Sequence, residues 1–411
     1  MNNKWTRAAI PALLIHCSVG SVYCWSIFKE AIASTIGMSA FAVGWAFSLA
    51  IFFLGMSAAF AGKLVEKDIH KSSLISCICF TMGMIGTGLS IQFLTGWYAL
   101  ISIYICYGLI MGIGLGVGYL TPVKTLMLWF SDNRGLATGI SIMGFGLAKA
   151  IATPIMNVIQ DRLGIAPMFY ILGGAYFVTM MLGHLLLKKP DGWIEKYSDN
   201  RGSVLQMFRN KQFAGIWLMF YLNIHCGLMV ISYEKQIISS TFAKTAVLAA
   251  AVSVIPALTA AFNALGRIGY SSFSDRLQER NAVYFTIFQL SMWMTAAVFL
   301  TRAVSGTTNV LLLGLVVLFL FVINAGYGGG FSTLPALLSE RFGMESISQI
   351  HGLALSAWAV AGLTGNNTSE LILRASGNYN NIMLLSGVLY LVALIVCIRM
   401  VGSKYFPAKN K

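Results

Sequence analysis

Twelve times along the chain, a run of about twenty mostly apolar residues is closed by charged or Pro/Gly-rich residues. Crossing the hydrocarbon core of a bilayer takes roughly 20 such residues in an α-helix. The runs cover about 8–28, 41–61, 73–94, 97–128, 135–159, 168–187, 213–233, 246–271, 282–301, 309–334, 351–373 and 380–401. Inside a bilayer only helices and closed barrels satisfy every backbone polar group, and runs of this length select helices. Composition agrees. The chain is 57% hydrophobic and 10% charged, where soluble domains carry about 25% charged residues. The expected fold class is an all-α integral membrane protein with twelve transmembrane helices, and the lipid bilayer is its first partner. Lys4 and Arg7 flank the first run, but no small-residue cleavage site closes a short apolar core, so that run reads as a retained helix.

The formal net charge is +14, which by itself would suit nucleic acid. Its distribution says otherwise. Twelve spans put both termini on one side, and with that side taken as inside, the inner segments hold nineteen of the 28 Lys and Arg residues. Six fall on outer loops or outer helix ends: Lys29, Arg162, Lys235, Lys244, Arg302 and Arg374. Three lie within runs: Lys124, Lys149 and Arg267. This is the positive-inside pattern. It places both termini in the cytoplasm and gives the chain no nucleic-acid partner. All seven cysteines fall inside runs, where they serve as small apolar residues. No HExxH, GxSxG or paired intramembrane acid is present, so the sequence points to neither an enzyme nor a cofactor, and no metal site is expected.

The polar, basic stretch 188–212 divides the runs six and six, giving an N-terminal bundle over 1–187, a cytoplasmic linker and a C-terminal bundle over 213–411. The halves echo each other. GKLVEKDIHK after the second run corresponds in position to GRIGYSSFSDRLQER after the eighth, which carries Asp275 and Arg276. Gly118-Tyr119 is echoed by Gly326-Tyr327, and GLATG at 135–139 by GLALS at 352–356. A half-length repeat is the architecture in which two bundles rock about a site near the midplane. The run GLIMGIGLGVGY at 108–119 holds three overlapping GxxxG pairs. It lies inside a span with no strand before it, so it reads as close helix packing and not as a nucleotide loop.

Gly62, Glu66, Lys67 and Lys71 resemble the cytoplasmic loop motif of the major facilitator superfamily, with Ile69 where that motif usually has a glycine. Within the superfamily the chain resembles the oxalate/formate antiporter family, relatives of the monocarboxylate transporters. The segments that carry the likeness are GSVYCWSIF, WFSDNRGLATG, GRIGYSSFSDR and GYGGGFSTLPALLSERFG. The resemblance implies the superfamily fold of two six-helix bundles. It also implies a secondary transporter of small carboxylates, acting as a monomer in a bacterial plasma membrane.

Arg267 closes a long uncharged stretch of the eighth run and stands eight residues before Asp275, about 12 Å along a helix. None of the fourteen Asp and Glu residues lies clearly in mid-span. A charge at a helix centre costs about 2.5–3.5 kcal/mol on insertion scales, and arginine cannot discharge itself. The simplest partner is an anionic substrate; the alternative is snorkelling to the interface. Pro256, Ala260, Asn263, Ser271 and Ser274 share its helical face, which is small or polar. Lys149 stands among Gly139, Gly146 and Thr153, and Lys124 stands eight residues before Asp132. Both are candidate substrate cations, with snorkelling as the alternative for Lys124.

The resemblance assigns Arg267 to the family's substrate-binding arginine of helix 8, and Tyr23, Tyr327 and Phe331 to the aromatic residues enclosing the carboxylate. It also marks two departures. Trp358 stands where the oxalate transporter has a second cation, a lysine, which favours a monocarboxylate such as formate, pyruvate or lactate. Asn263 stands where proton-coupled relatives carry an aspartate, which favours anion exchange over proton symport. Symport through His16 or His225, both in the middle of runs, is the alternative coupling. An interhelical hydrogen bond is the plainer role for either histidine.

Overall fold

The computed structural model describes residues 3–192, 204–243, 245, 247–305 and 310–402. Twelve long helices account for the twelve apolar runs. They are α1 (Trp5–Ile36), α2 (Ala40–Lys67), α3 (Ile69–Phe93), α4 (Gly96–Trp129), α5 (Arg134–Leu163) and α6 (Ile165–Leu186), followed by α7 (Lys211–Ile231), α8 (Leu248–Ser274), α9 (Asn281–Ser305), α10 (Val310–Phe342), α11 (Ile347–Ser376) and α12 (Asn380–Val401). Short helices Val204–Arg209 and Glu234–Phe242 precede and follow α7. Lys244 and most of the expected linker, 193–203, lie outside the described residues.

Among the described residues, eleven helices are long and apolar enough to cross a membrane. The one left out by that measure is α11. It carries His351, Thr364, Asn366, Asn367, Thr368 and Glu370 along its length, a polar load suited to a helix that turns one side away from lipid.

Local chemistry sets the helix ends. Gly37 takes a left-handed φ of 71° and stops α1. Ser39 opens α2 by accepting the amide of Ala42 at 3.2 Å, and Asn210 opens α7 by accepting that of Gln212 at 2.9 Å. Asp68 separates α2 from α3 and accepts the amides of Lys71 and His70, each at 2.9 Å. Those bonds, led by that from Lys71, hold its carboxyl below the usual carboxylate range.

The chain resolves into two compact units, Met1–Arg201 with Leu338–Ala359, and Gly202–Leu337 with Val360–Lys411. The first unit therefore includes the last residues of α10 and the first half of α11. In it α1 packs on α4, α5 and α6, α2 packs on α4, and α3 packs on α4 and α6. The glycines of α4 make this close packing feasible. Gly108, Gly112 and Gly116 press on α2, while Gly114 and Gly118 press on α3. In the second unit α12 packs on α7 and α9, and Gly266 of α8 abuts Ala325 of α10.

A Cβ at Gly116 would lie 2.9 Å from the Ala58 nitrogen and closer still to Leu54 O and Ser57 Oγ. Gly116→Val is expected to destabilise the protein by about 1–3 kcal/mol through overpacking. Gly174→Ala, at a position with nothing within 4 Å, should be neutral. Reaction of the buried cysteines with a thiol-reactive dye during heating reads both, and an unshifted midpoint for Gly116→Val would refute the packing assignment.

Candidate functional site

On α8, Asn263 and Arg267 stand one helical turn apart, so their side chains meet on one face. Arg267 Nε donates to Asn263 Oδ1 at 3.0 Å. Arg267 is 2% exposed, and its guanidinium lies 5.5 Å from the centre of the Phe331 ring on α10. The GYGGGF segment allows this approach. A Cβ at Gly328 would sit 3.0 Å from Arg267 Cγ and closer still to the Asn263 carbonyl. The Phe331 ring is held in turn by Tyr327 at 5.1 Å and by Phe220 of α7 at 5.0 Å. Gly227 of α7 leaves room for the Tyr327 ring. Arg267, Asn263, Tyr327 and Phe331 are thus one constellation within the second unit. Asn263 orients the guanidinium without carrying charge, and Phe331 covers its face. The planar fork of the guanidinium suits a carboxylate's two oxygens.

Tyr23 and Trp358 lie in the first unit. Tyr23 is half-buried on a tight helical turn, Gly20–Cys24, within α1, and its ring meets Phe145 at 5.3 Å and Phe47 at 6.3 Å. Trp358 is buried in the α11 segment of that unit, 5.8 Å from Phe145 and 5.6 Å from Tyr119. No spacing in the sequence signals this grouping, because Tyr119, Phe145 and Trp358 sit on three different helices. His351, assigned no role from sequence, joins it with its ring 5.9 Å from Tyr119.

Lys149 is exposed on α5 and shares a polar stripe with Thr153, Asn157 and Asp161, at four-residue intervals. Its carbonyl accepts the Thr153 hydroxyl at 2.6 Å. A stripe of this chemistry is unsuited to lipid and suited to water.

Lys124 corrects the expectation that the three cations within the runs face no fixed anion. Its ammonium donates to Glu66 Oε2, with both side chains almost wholly buried. The sequence placed Glu66 on a cytoplasmic segment, but α2 continues through Lys67 and carries Glu66 into the packed interior. The other carboxylate oxygen, Oε1, accepts the amide of Ser348 at 2.6 Å in the first turn of α11, where a negative charge is stabilised. Gly62 allows the approach, since a Cβ there would collide with the backbone of Ser348 and Gln349. Lys67 and Lys71 are exposed. In the second unit Asp275 ends α8 and accepts Arg280 Nη2 at 2.8 Å, while Arg276 is exposed.

Both mid-span histidines tie helices together. His16 Nδ1 lies 2.5 Å from the Ser141 carbonyl and its Nε2 lies 3.2 Å from that of Tyr119. His225 Nδ1 lies 2.9 Å from Thr364 Oγ1 and 3.3 Å from the Tyr221 hydroxyl.

Comparison with known proteins fits this architecture. The chain is 24% identical over 360 residues to the MFS-type transporter YhjX of Escherichia coli (strain K12), covering 86% of this chain and 85% of that one. It is 23% identical over 414 residues to the oxalate:formate antiporter of Oxalobacter formigenes, covering 100% of this chain and 94% of that one. Among solved structures, a bacterial homologue of the iron transporter ferroportin in an outward-facing state superposes with a TM-score of 0.77 at 11% identity, covering 98% of this chain and 100% of that one. A likeness at that identity establishes the shared fold. The family model of the Major Facilitator Superfamily matches residues 12–366, so the chain belongs to the Major Facilitator Superfamily and is a multi-pass membrane transporter.

Proposed function

We propose that the protein carries small carboxylate anions by alternating access and that it works as an exchanger. The observation that carries this reading is the Arg267 constellation, a buried guanidinium oriented by a neutral amide and covered by an aromatic ring. Full-length similarity to an oxalate:formate antiporter supports it. On the second unit Arg267 anchors the carboxylate, Asn263 fixes the guanidinium, and Tyr327 and Phe331 exclude water. On the first unit Lys149, Tyr23 and Trp358 are the residues we assign to substrate. Trp358 supplies bulk where an oxalate carrier has charge, which favours a monocarboxylate. Lys149, an exposed cation of the first unit, is a further positive charge that would suit a dicarboxylate.

Exchange follows from the neutrality of Asn263, which cannot carry a transported proton. Bound anion meets the Arg267 guanidinium as the carrier passes through its occluded state, which favours reorientation of the loaded form. We assign cytoplasmic gating to Gly62, Glu66, Lys67 and Lys71 on the first unit, and to Asp275 and Arg276 on the second. The protein works as a monomer, with both termini in the cytoplasm.

Counterflow in proteoliposomes tests the reading. Vesicles preloaded with unlabelled formate, oxalate, pyruvate or lactate are expected to accumulate the labelled anion without a pH gradient, and empty vesicles are not. Uptake that requires a proton gradient but no internal anion would replace exchange with proton symport.

A further inference from the structure

A second cationic site lies in the second unit, at the membrane-surface end opposite the chain terminus. Two adjoining cavities of about 590 and 250 Å³ share Ser240 and Tyr379. Lys235 lines the larger, and Arg302, at the end of α9, lines the smaller with Thr241, Asn378 and Asn380. Arg302 Nε and Nη1 are both buried and have no hydrogen-bond partner among the described residues. The guanidinium rests against the Phe299 ring at 5.7 Å.

The other lining groups suit an incoming acceptor. The hydroxyls of Ser240 and Thr241 already donate to the Ile237 carbonyl, at 3.0 and 2.7 Å. Asn378 Oδ1 accepts the Asn380 amide at 3.0 Å, which leaves the side-chain N–H groups of both asparagines as donors. Among the described residues no acid lines either cavity. Glu370, further back on α11, is engaged by Tyr233 at 2.6 Å and by Arg374 at 3.0 Å. Arginine cannot lose its charge, and buried guanidinium N–H groups left unmatched are costly. The complementary ligand is an oxyanion presenting two acceptor oxygens to the fork.

The face of α12 that runs on from the cavity suits a lipid as the source of that oxyanion. From Asn380 the same helical face continues as Leu384, Val388 and Leu391, which are 45%, 51% and 44% exposed. A polar head at Arg302 and an apolar chain along this stripe match an amphiphile. We propose that the cavity binds the phosphate headgroup of an anionic phospholipid, with Arg302 on the phosphate, Lys235 nearby and an acyl chain on α12.

The test is native mass spectrometry of the full chain released from bilayer discs containing phosphatidylglycerol. Wild type is expected to retain the lipid, and Arg302→Gln to lower its occupancy about tenfold. Arg302→Lys should fall between them, because it keeps the charge and loses the fork. Asn380→Ala, a milder change, should lower occupancy in the same direction. Arg162→Gln, which removes an exposed cation of the first unit, should leave it unchanged. Thiol-exposure midpoints confirm that each variant is folded. Equal lipid retention in wild type, Arg302→Gln and Asn380→Ala would overturn the proposal. Displacement of the lipid by free oxalate or formate in wild type would assign the oxyanion site to a soluble carboxylate and overturn the lipid assignment.

Discussion

Arg267→Gln is expected to lower carboxylate affinity and counterflow roughly a hundredfold while leaving the protein folded. Losing one member of a desolvated charge pair costs about 2–5 kcal/mol in binding, and a hundredfold corresponds to about 2.8 kcal/mol. Glutamine keeps a donor beside Asn263 and removes only the charge and the fork. Arg267→Lys separates those two contributions. It restores the charge and, without the planar fork, should recover only part of the loss. Stability should not move with it: glutamine keeps a donor to Asn263, so Arg267→Gln is expected to unfold at the temperature of wild type. Binding of labelled formate and oxalate to purified protein, with the thiol-exposure midpoint as the fold control, checks both halves. Unchanged affinity in a folded Arg267→Gln protein would remove Arg267 from the substrate site.

Much of this was legible in the sequence, for reasons that can be named. The twelve helices follow from run length alone, because lipid leaves the backbone few alternatives. The run at 351–373 marks α11 on the same grounds, and the echo of GLATG in GLALS agrees with it. The ends were less legible. The first apolar run spans about 8–28 and the helix covers Trp5–Ile36, because a helix continues past the hydrocarbon wherever capping and packing allow. Arg267 with Asn263 was readable because both residues sit on one helix, where a spacing of four dictates contact. The partners on other helices were not. Glu66 and Lys124 are 58 positions apart, and only the register of α2 against α4 brings them together. Ser348 is 282 positions from Glu66. Hydropathy reports which residues leave water and carries no information on which helix faces another, so this network was hidden.

That network supports the second large effect. Lys124→Met is expected to destabilise the protein by about 3–5 kcal/mol, because it strands a buried carboxylate. Glu66→Gln removes the charge facing the ammonium, and its side-chain oxygen can still accept from Ser348, so its cost should be smaller. The double variant Glu66→Gln/Lys124→Met removes both charges and keeps that acceptor, so it should recover most of the loss. The buried thiols of Cys24, Cys77, Cys226 and Cys397 report unfolding by reaction with a maleimide dye on heating. If the double variant's cost equals the sum of the two singles to within about 0.5 kcal/mol, the pair is uncoupled and the assignment fails. Recovery would have a further consequence. Glu66 would then hold two things at once, Lys124 on α4 and the first turn of α11, and the two contacts can be weakened separately. Glu66→Gln should therefore weaken the α11 contact by replacing a charge-assisted bond with a neutral one, whereas Lys124→Met should leave the carboxylate free to grip Ser348. The two single variants are expected to shift the accessibility of a cysteine introduced at Gln349 in opposite directions, with Glu66→Gln making it more reactive.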